Sequence, residues 1–273
     1  MGNLVTRINK KERLSVKQQV AIALLKGHRA FDDYRRQNNS GHITRIAYQL
    51  LNRQIGIEIE TSASDHYLSK ITSLMTKKTM ERPVIINNGS KYLYNSSKLQ
   101  KAVSNRGAID NYIYDDGIME TTLRFDLKSL KALKYVLKTL NKYSEKHNKI
   151  KKRSAYSGDR GSIHLHIDVP DVNFYNLNPY MLQERVGLSN INLFRSFFDR
   201  NSLGRDDAFI GGGRNISPDK EKETFEYRLG YLTYSYVRVI KWCIMCQEMT
   251  NFLTRKKSNL DMKFLRWLHE VEV

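Results

Sequence analysis

The chain has 273 residues, 40% of them hydrophobic and 27% charged. That composition excludes a disordered or collagen-like polymer and allows one large domain or two. Net charge is +18, so an anionic partner is expected: nucleic acid, nucleotide or another polyanion.

No stretch approaches the roughly 18 apolar residues of a membrane-spanning helix. The N-terminal MGNLVTRINKKERLS lacks the apolar run of a secretory signal. The two cysteines, Cys243 and Cys246, form one C-x-x-C with no second pair. A structural zinc site is therefore excluded, and two buried core thiols in a reducing, cytoplasmic setting are expected.

In chain order, the pattern predicts helix over residues 14–36, with Gly27 as a break, and a second helix over His42–Leu51. Ile55–Thr61 alternates strictly, which predicts a strand. Short strands are expected at 83–87 and 111–115, and a longer one at Gly117–Arg124. Residues 127–145 read as an amphipathic helix. Leu130, Leu133, Val136, Leu137 and Leu140 line one face, and Lys128, Lys131, Lys134, Lys138 and Lys142 line the other. The lysine stripe reads as a solvated face, and the basic run Lys146–Arg153 as the better candidate for touching a polyanion. Gly161–Val169 predicts a strand ended by Pro170, 189–199 a helix, 201–222 a loop, and Thr224–Leu229 a strand. Helices over 235–255 and 259–270 close the chain. This order predicts an α+β fold, with helices on one face of a largely antiparallel sheet.

Three of the strands carry ionisable pairs at alternate positions. Glu58 and Glu60 share one face, opposite Ile55, Ile57 and Ile59. His164 and His166 share a face, opposite Ile163, Leu165 and Ile167, and Glu226 and Arg228 stand opposite Phe225, Tyr227 and Leu229. Each pair alone is an ordinary wet face. Together they hold only groups suited to cations and phosphates. Carboxylates about 4 Å apart repel by roughly 4 kcal/mol at an effective dielectric near 20. If Glu58, Glu60 and Glu226 converge, a cation must sit between them, and carboxylates with one imidazole suit Mg²⁺ or Mn²⁺ better than zinc.

At these residues the chain resembles the amidoligase family of the carboxylate–amine ligase superfamily, which includes glutamine synthetase and glutamate–cysteine ligase. The resemblance spans roughly residues 52–250. Ile55–Glu60 is similar to the family's G-x-E-x-E strand, and Asp116-Gly117 with Glu120 to its "DG…E" segment. Gly161–His166 is similar to its G-x-H-x-H strand, and Thr224–Arg228 to its T-x-E-x-R. The chain departs from the family after Glu120, where Thr121-Thr122-Leu123-Arg124 replaces an early proline.

The resemblance implies a curved antiparallel sheet with helices on its convex face and a glutamine synthetase-like catalytic domain over 51–273, while residues 1–50, outside the resemblance, read from their own pattern as an N-terminal helical extension. The resemblance also implies ATP and two or more Mg²⁺ or Mn²⁺ ions on the concave face. Glu58, Glu60, Glu120, His164 and Glu226 would be metal ligands, and Arg228 would hold a transferring phosphate. His166, Arg214 and Arg205 would lie near the nucleotide phosphates. The implied activity is ATP-dependent formation of an amide or isopeptide bond between a carboxylate and an amine drawn from amino acids, peptides or cell-wall material.

The residues by themselves leave two alternatives. One is a metal-dependent nuclease or phosphodiesterase. The other is a non-catalytic, basic nucleic-acid-binding protein on a degenerate ligase scaffold. A Walker-type phosphate loop is absent from the sequence.

Overall fold

The computed structural model describes residues 13–62, 84–88, 91–95, 109–113, 118–125, eight positions within 127–141, 162–170, 172–197, 210, 216–220, 223–231 and 233–273. The fold is mixed: helices together with an antiparallel sheet. Backbone contacts divide the chain into two compact units, Met1–Asn52 with Val237–Val273, and Arg53–Tyr236. The expected division at residue 50 put the C-terminal helices with the catalytic part, whereas here they group with the N-terminal ones.

The first unit is helical. Helix α1 (Val16–Lys26) starts at a reciprocal cap in which Ser15 Oγ accepts from the Gln18 backbone N–H and Gln18 Oε1 accepts from that of Ser15. Gly27, at φ +108°, turns the chain into α2 (His28–Gln37). Asn39 then caps α3 (Ser40–Leu50). The expected break at Gly27 is thus observed. A long helix, Tyr236–Leu253, is buried on all sides over Trp242–Leu253, and it contains Cys243 and Cys246, both 0% exposed. Burial pushes both thiols above their usual range, so they are inert core residues.

The same helix buries Glu248, whose carboxylate meets Lys17 at 3.2 Å and also pairs with Lys257. Lys17 reaches Asp261 as well, at 2.9 Å. Asp261 caps the last helix, Met262–Glu270, by accepting from the Phe264 backbone N–H.

Among the described residues, the second unit holds eight strands: β1 (Ile55–Ser62), β2 (Val84–Asn88), β3 (Lys91–Asn95), β4 (Ile109–Ile113), β5 (Ile118–Phe125), β6 (Ser162–Asp168), β7 (Ile216–Asp219) and β8 (Thr224–Tyr231). Their order is β2-β3-β4-β5-β1-β6-β8-β7, and every pairing is antiparallel. Pro218 sits in the edge strand β7, where a missing N–H costs no ladder bond.

The apolar face of the central strands is core. Ile55, Ile57, Ile163, Leu165, Ile167, Phe225 and Tyr227 are all 0% exposed, and Phe174 packs its ring 5.9 Å from that of Phe225. Leu130, Leu133 and Leu137 are buried on their helix, while Lys131, Lys134 and Lys138 are exposed, as the amphipathic pattern predicts. Two helices, Pro179–Val186 and Leu188–Phe197, follow β6, and Gly187 at φ +76° separates them. No helix among the described residues is long and apolar enough to cross a membrane.

Candidate metal centre

Strand β1 is paired on one side with β5 and on the other with β6, and β6 is paired with β8. Three of the four motif-bearing strands therefore lie side by side as β1-β6-β8, with the fourth, β5, against the outer edge of β1. In register, Glu58 stands opposite His164, and Gly56 opposite His166.

The β6–β8 register contains a shift that decides which residues meet. Ile163 pairs with Gly230, but His164 pairs with Arg228, so β8 carries one extra residue, Leu229, at this point. Without that bulge the histidines would be matched with Leu229 and Tyr227. With it, His164 faces Arg228 and His166 faces Glu226. The bulge re-aims β8 so that its polar face joins the polar face of β6.

The result is a tight group. One oxygen each from Glu58 and Glu226 and one ring nitrogen of His164 lie within 4.8 Å of one another. His164 Nδ1 is 3.3 Å from Glu226 Oε1 and 3.5 Å from Glu58 Oε2. His166 Nε2 is 2.9 Å from Glu58 Oε1, and its Nδ1 is 3.2 Å from Thr224 Oγ1. Arg228 Nη2 donates to Glu226 Oε2 at 3.3 Å, and its Nε lies 3.1 Å from Oε1.

This face is not a solvated one. His164 and His166 are each 6% exposed, Glu226 is 9% and Thr224 is 5%. Two carboxylates packed that closely need compensating positive charge. Arg228 supplies part of it on Glu226. A divalent cation between Glu58, His164 and Glu226 would supply the rest, and the oxygen-rich donor set suits Mg²⁺ or Mn²⁺.

The remaining expected residues fall as follows. Glu60 stands opposite Glu120 across β1–β5, which puts the two at one register position, but their side chains lie outside the described residues. Arg205 and Arg214 also lie outside them. His166, expected beside nucleotide phosphates, contacts the Glu58 carboxylate.

Two contributors stand in the quoted motifs but were assigned no role from the sequence. Thr224 touches His166, and Gly56 makes room for it: a Cβ added at Gly56 would come 3.3 Å from His166 Cβ. Both lie two positions before a motif glutamate, so the period-2 rule that linked Glu58 to Glu60 also reaches them. No protein-family model, curated protein or solved structure matches this chain, and the reading of the site therefore rests on its geometry and on the residue patterns that produce it.

Proposed function

We propose that the protein is an ATP-dependent carboxylate–amine ligase with a glutamine synthetase-like catalytic sheet. The observation that carries this reading is the Glu58–His164–Glu226 group, with His164 and Glu226 buried and Glu58 partly so, and the Arg228 guanidinium on its border.

A free carboxylate is a poor acyl donor, because its leaving group would be oxide. Transfer of the terminal phosphoryl group of ATP to a carboxylate oxygen releases ADP and gives an acyl phosphate. Attack by an amine then forms the amide and expels phosphate. This chemistry needs positioning and charge neutralisation more than a protein nucleophile. When bound, the divalent cations neutralise phosphate oxygens. Glu58, His164 and Glu226 would hold one such cation, and Glu60 and Glu120 belong to the same motif set. Arg228 is 35% exposed at its side chain while still engaged with Glu226, so its guanidinium can meet a phosphate from the open side.

The test is ATP turnover in the presence of Mg²⁺ or Mn²⁺ with mixtures of amino acids and short peptides. ADP and phosphate are expected only when a carboxylate and an amine are both present. Arg228→Ala should keep metal binding and lose turnover. Cleavage of DNA or RNA by metal alone, without ATP, would replace the ligase reading with the nuclease one. Turnover surviving in Arg228→Ala would remove Arg228 from the phosphate.

A further inference from the structure

None of the metal-centre residues belongs to the helical unit, yet charge in that unit is unevenly distributed. Between Arg13 and Ile57 there are eight lysines and arginines against two acids, Asp32 and Asp33. Both acids are engaged within α2: Asp32 lies 3.3 Å from His28 and 3.5 Å from Arg35, and Asp33 lies 3.0 Å from Arg36. From Tyr34 through Ile57 the chain has no acidic residue.

Helix α3 lies in that acid-free stretch. Its apolar stripe, Ile43, Ile46, Ala47 and Leu50, is buried, and α1 packs against both α2 and α3. The opposite stripe is exposed: His42, Arg45, Tyr48 and Gln49 on the helix, and Asn52 just past its end. At 3.6 residues per turn the four helical positions fall within about a third of the circumference, so they form one surface. Arg45 Nη2 donates to His42 Nδ1 at 3.1 Å, so an imidazole rather than a carboxylate orients the guanidinium.

Tyr48, 42% exposed, is the only large apolar side chain on this stripe. That is too little apolar surface for a lipid bilayer or a hydrophobic protein groove. Planar hydrogen-bonding side chains without acids suit a polyanion that carries hydrogen-bonding edges: Arg pairs with guanine, and Gln and Asn pair with adenine. An α-helix with its side chains is about 10–12 Å across, and the major groove of B-form DNA is about 12 Å wide. Helices α2 and α3 are joined by Asn38-Asn39 alone, and a second helix offered after a short turn is how helix-turn-helix elements enter that groove.

We propose that the helical unit binds duplex DNA, with α3 in the major groove and Arg45 and Gln49 facing the base edges. The inference stands apart from the metal centre and from ligase chemistry.

Fluorescence anisotropy of the full chain with a labelled mixed-sequence duplex, titrated from about 50 to 200 mM salt, tests it. The wild type should bind, with affinity falling steeply as salt rises. Arg45→Ala should weaken binding by about tenfold. Gln49→Lys, which adds a positive charge to the same stripe, should tighten it and steepen the salt dependence. Stabilisation by ATP and metal should be unchanged in Arg45→Ala, so failure of this proposal and failure of the ligase reading are separate results. No duplex binding at about 50 mM salt overturns the proposal, as does wild-type affinity in both variants. Equal competition by polyglutamate or single-stranded RNA would reduce the surface to a general polyanion patch and overturns it too. The basic run Lys146–Arg153 lies outside the described residues. Binding that is lost on neutralising that run but unchanged in Arg45→Ala moves the contact off α3 and equally overturns it.

Discussion

Gly56 shows how much of the candidate site depends on one missing atom. Its backbone lies opposite His166, and an added Cβ would sit 3.3 Å from His166 Cβ. That separation is tight, so the histidine would have to give by a few tenths of an ångström. Gly56→Ala should therefore fold, since alanine suits an extended backbone better than glycine does. It should nevertheless weaken Mn²⁺ binding by roughly tenfold, because His166 contacts the Glu58 carboxylate and a displaced ligand lowers affinity. Calorimetric titration of Mn²⁺ checks this, and equal affinity in the variant would show that the close approach is incidental. Arg228 and Glu226 make the complementary case. They are i, i+2 neighbours on one strand, and their contact leaves the carboxylate oriented toward His164.

At the scale of elements, strict alternation made β1, β6 and β8 legible, because each carries apolar residues at alternate positions with ionisable groups between them. Strand β3 (KYLYN) and strand β7 (ISPD) were not legible. One begins with a lysine after an Asn-Gly-Ser turn sequence, and the other carries a proline. The proline favours a loop in β7, whereas Tyr92-Leu93-Tyr94 after Asn-Gly is a short hairpin signal masked by its Asn-, Ser- and Gly-rich surroundings. The helix Pro179–Val186 was missed for a related reason. Its proline occupies the first helical position, where no N–H is needed, and Asn178 Oδ1 accepts from the Tyr180 backbone N–H. The bulge at Leu229 left no local mark, yet it decides which face of β8 meets the histidines. The spacing within each motif was therefore readable from the chain, and the adjacency of the motifs was not.

The helical unit offers an independent test at this scale. Burial by itself would raise the Asp261 carboxyl, but the Lys17 ammonium and the Phe264 backbone N–H outweigh it and hold the group below its usual range. A depressed carboxylate stabilises the fold above its unfolded-state pKa, near 3.9. That contribution fades as pH falls through the folded-state value. Asp261→Asn keeps the capping oxygen and removes the charge. Its melting temperature should trail the wild type by a small margin at pH 6, worth well under about 1 kcal/mol for so exposed a pair, and should converge with it near pH 3. A margin that persists unchanged at pH 3 would assign the effect to the cap rather than the charge.

Across the whole molecule, a net charge of +18 favours anionic partners in general. Among the described residues, the Glu58 and Glu226 carboxylates gather with two histidines on one face of the sheet. A basic chain with such a site is in keeping with the proposed ligase, whose substrates carry phosphate and carboxylate groups that cations would neutralise. The central claim is that Glu58, His164 and Glu226 form a cation-dependent nucleotide site. It is tested most directly by melting the protein with ATP and Mg²⁺ or Mn²⁺ present together, since a ligand that binds only the native state raises its melting temperature. The wild type should be stabilised by the metal–nucleotide combination, and Glu226→Ala should lose that response. No shift in the wild type with either metal, or an equal shift in Glu226→Ala, would contradict the account.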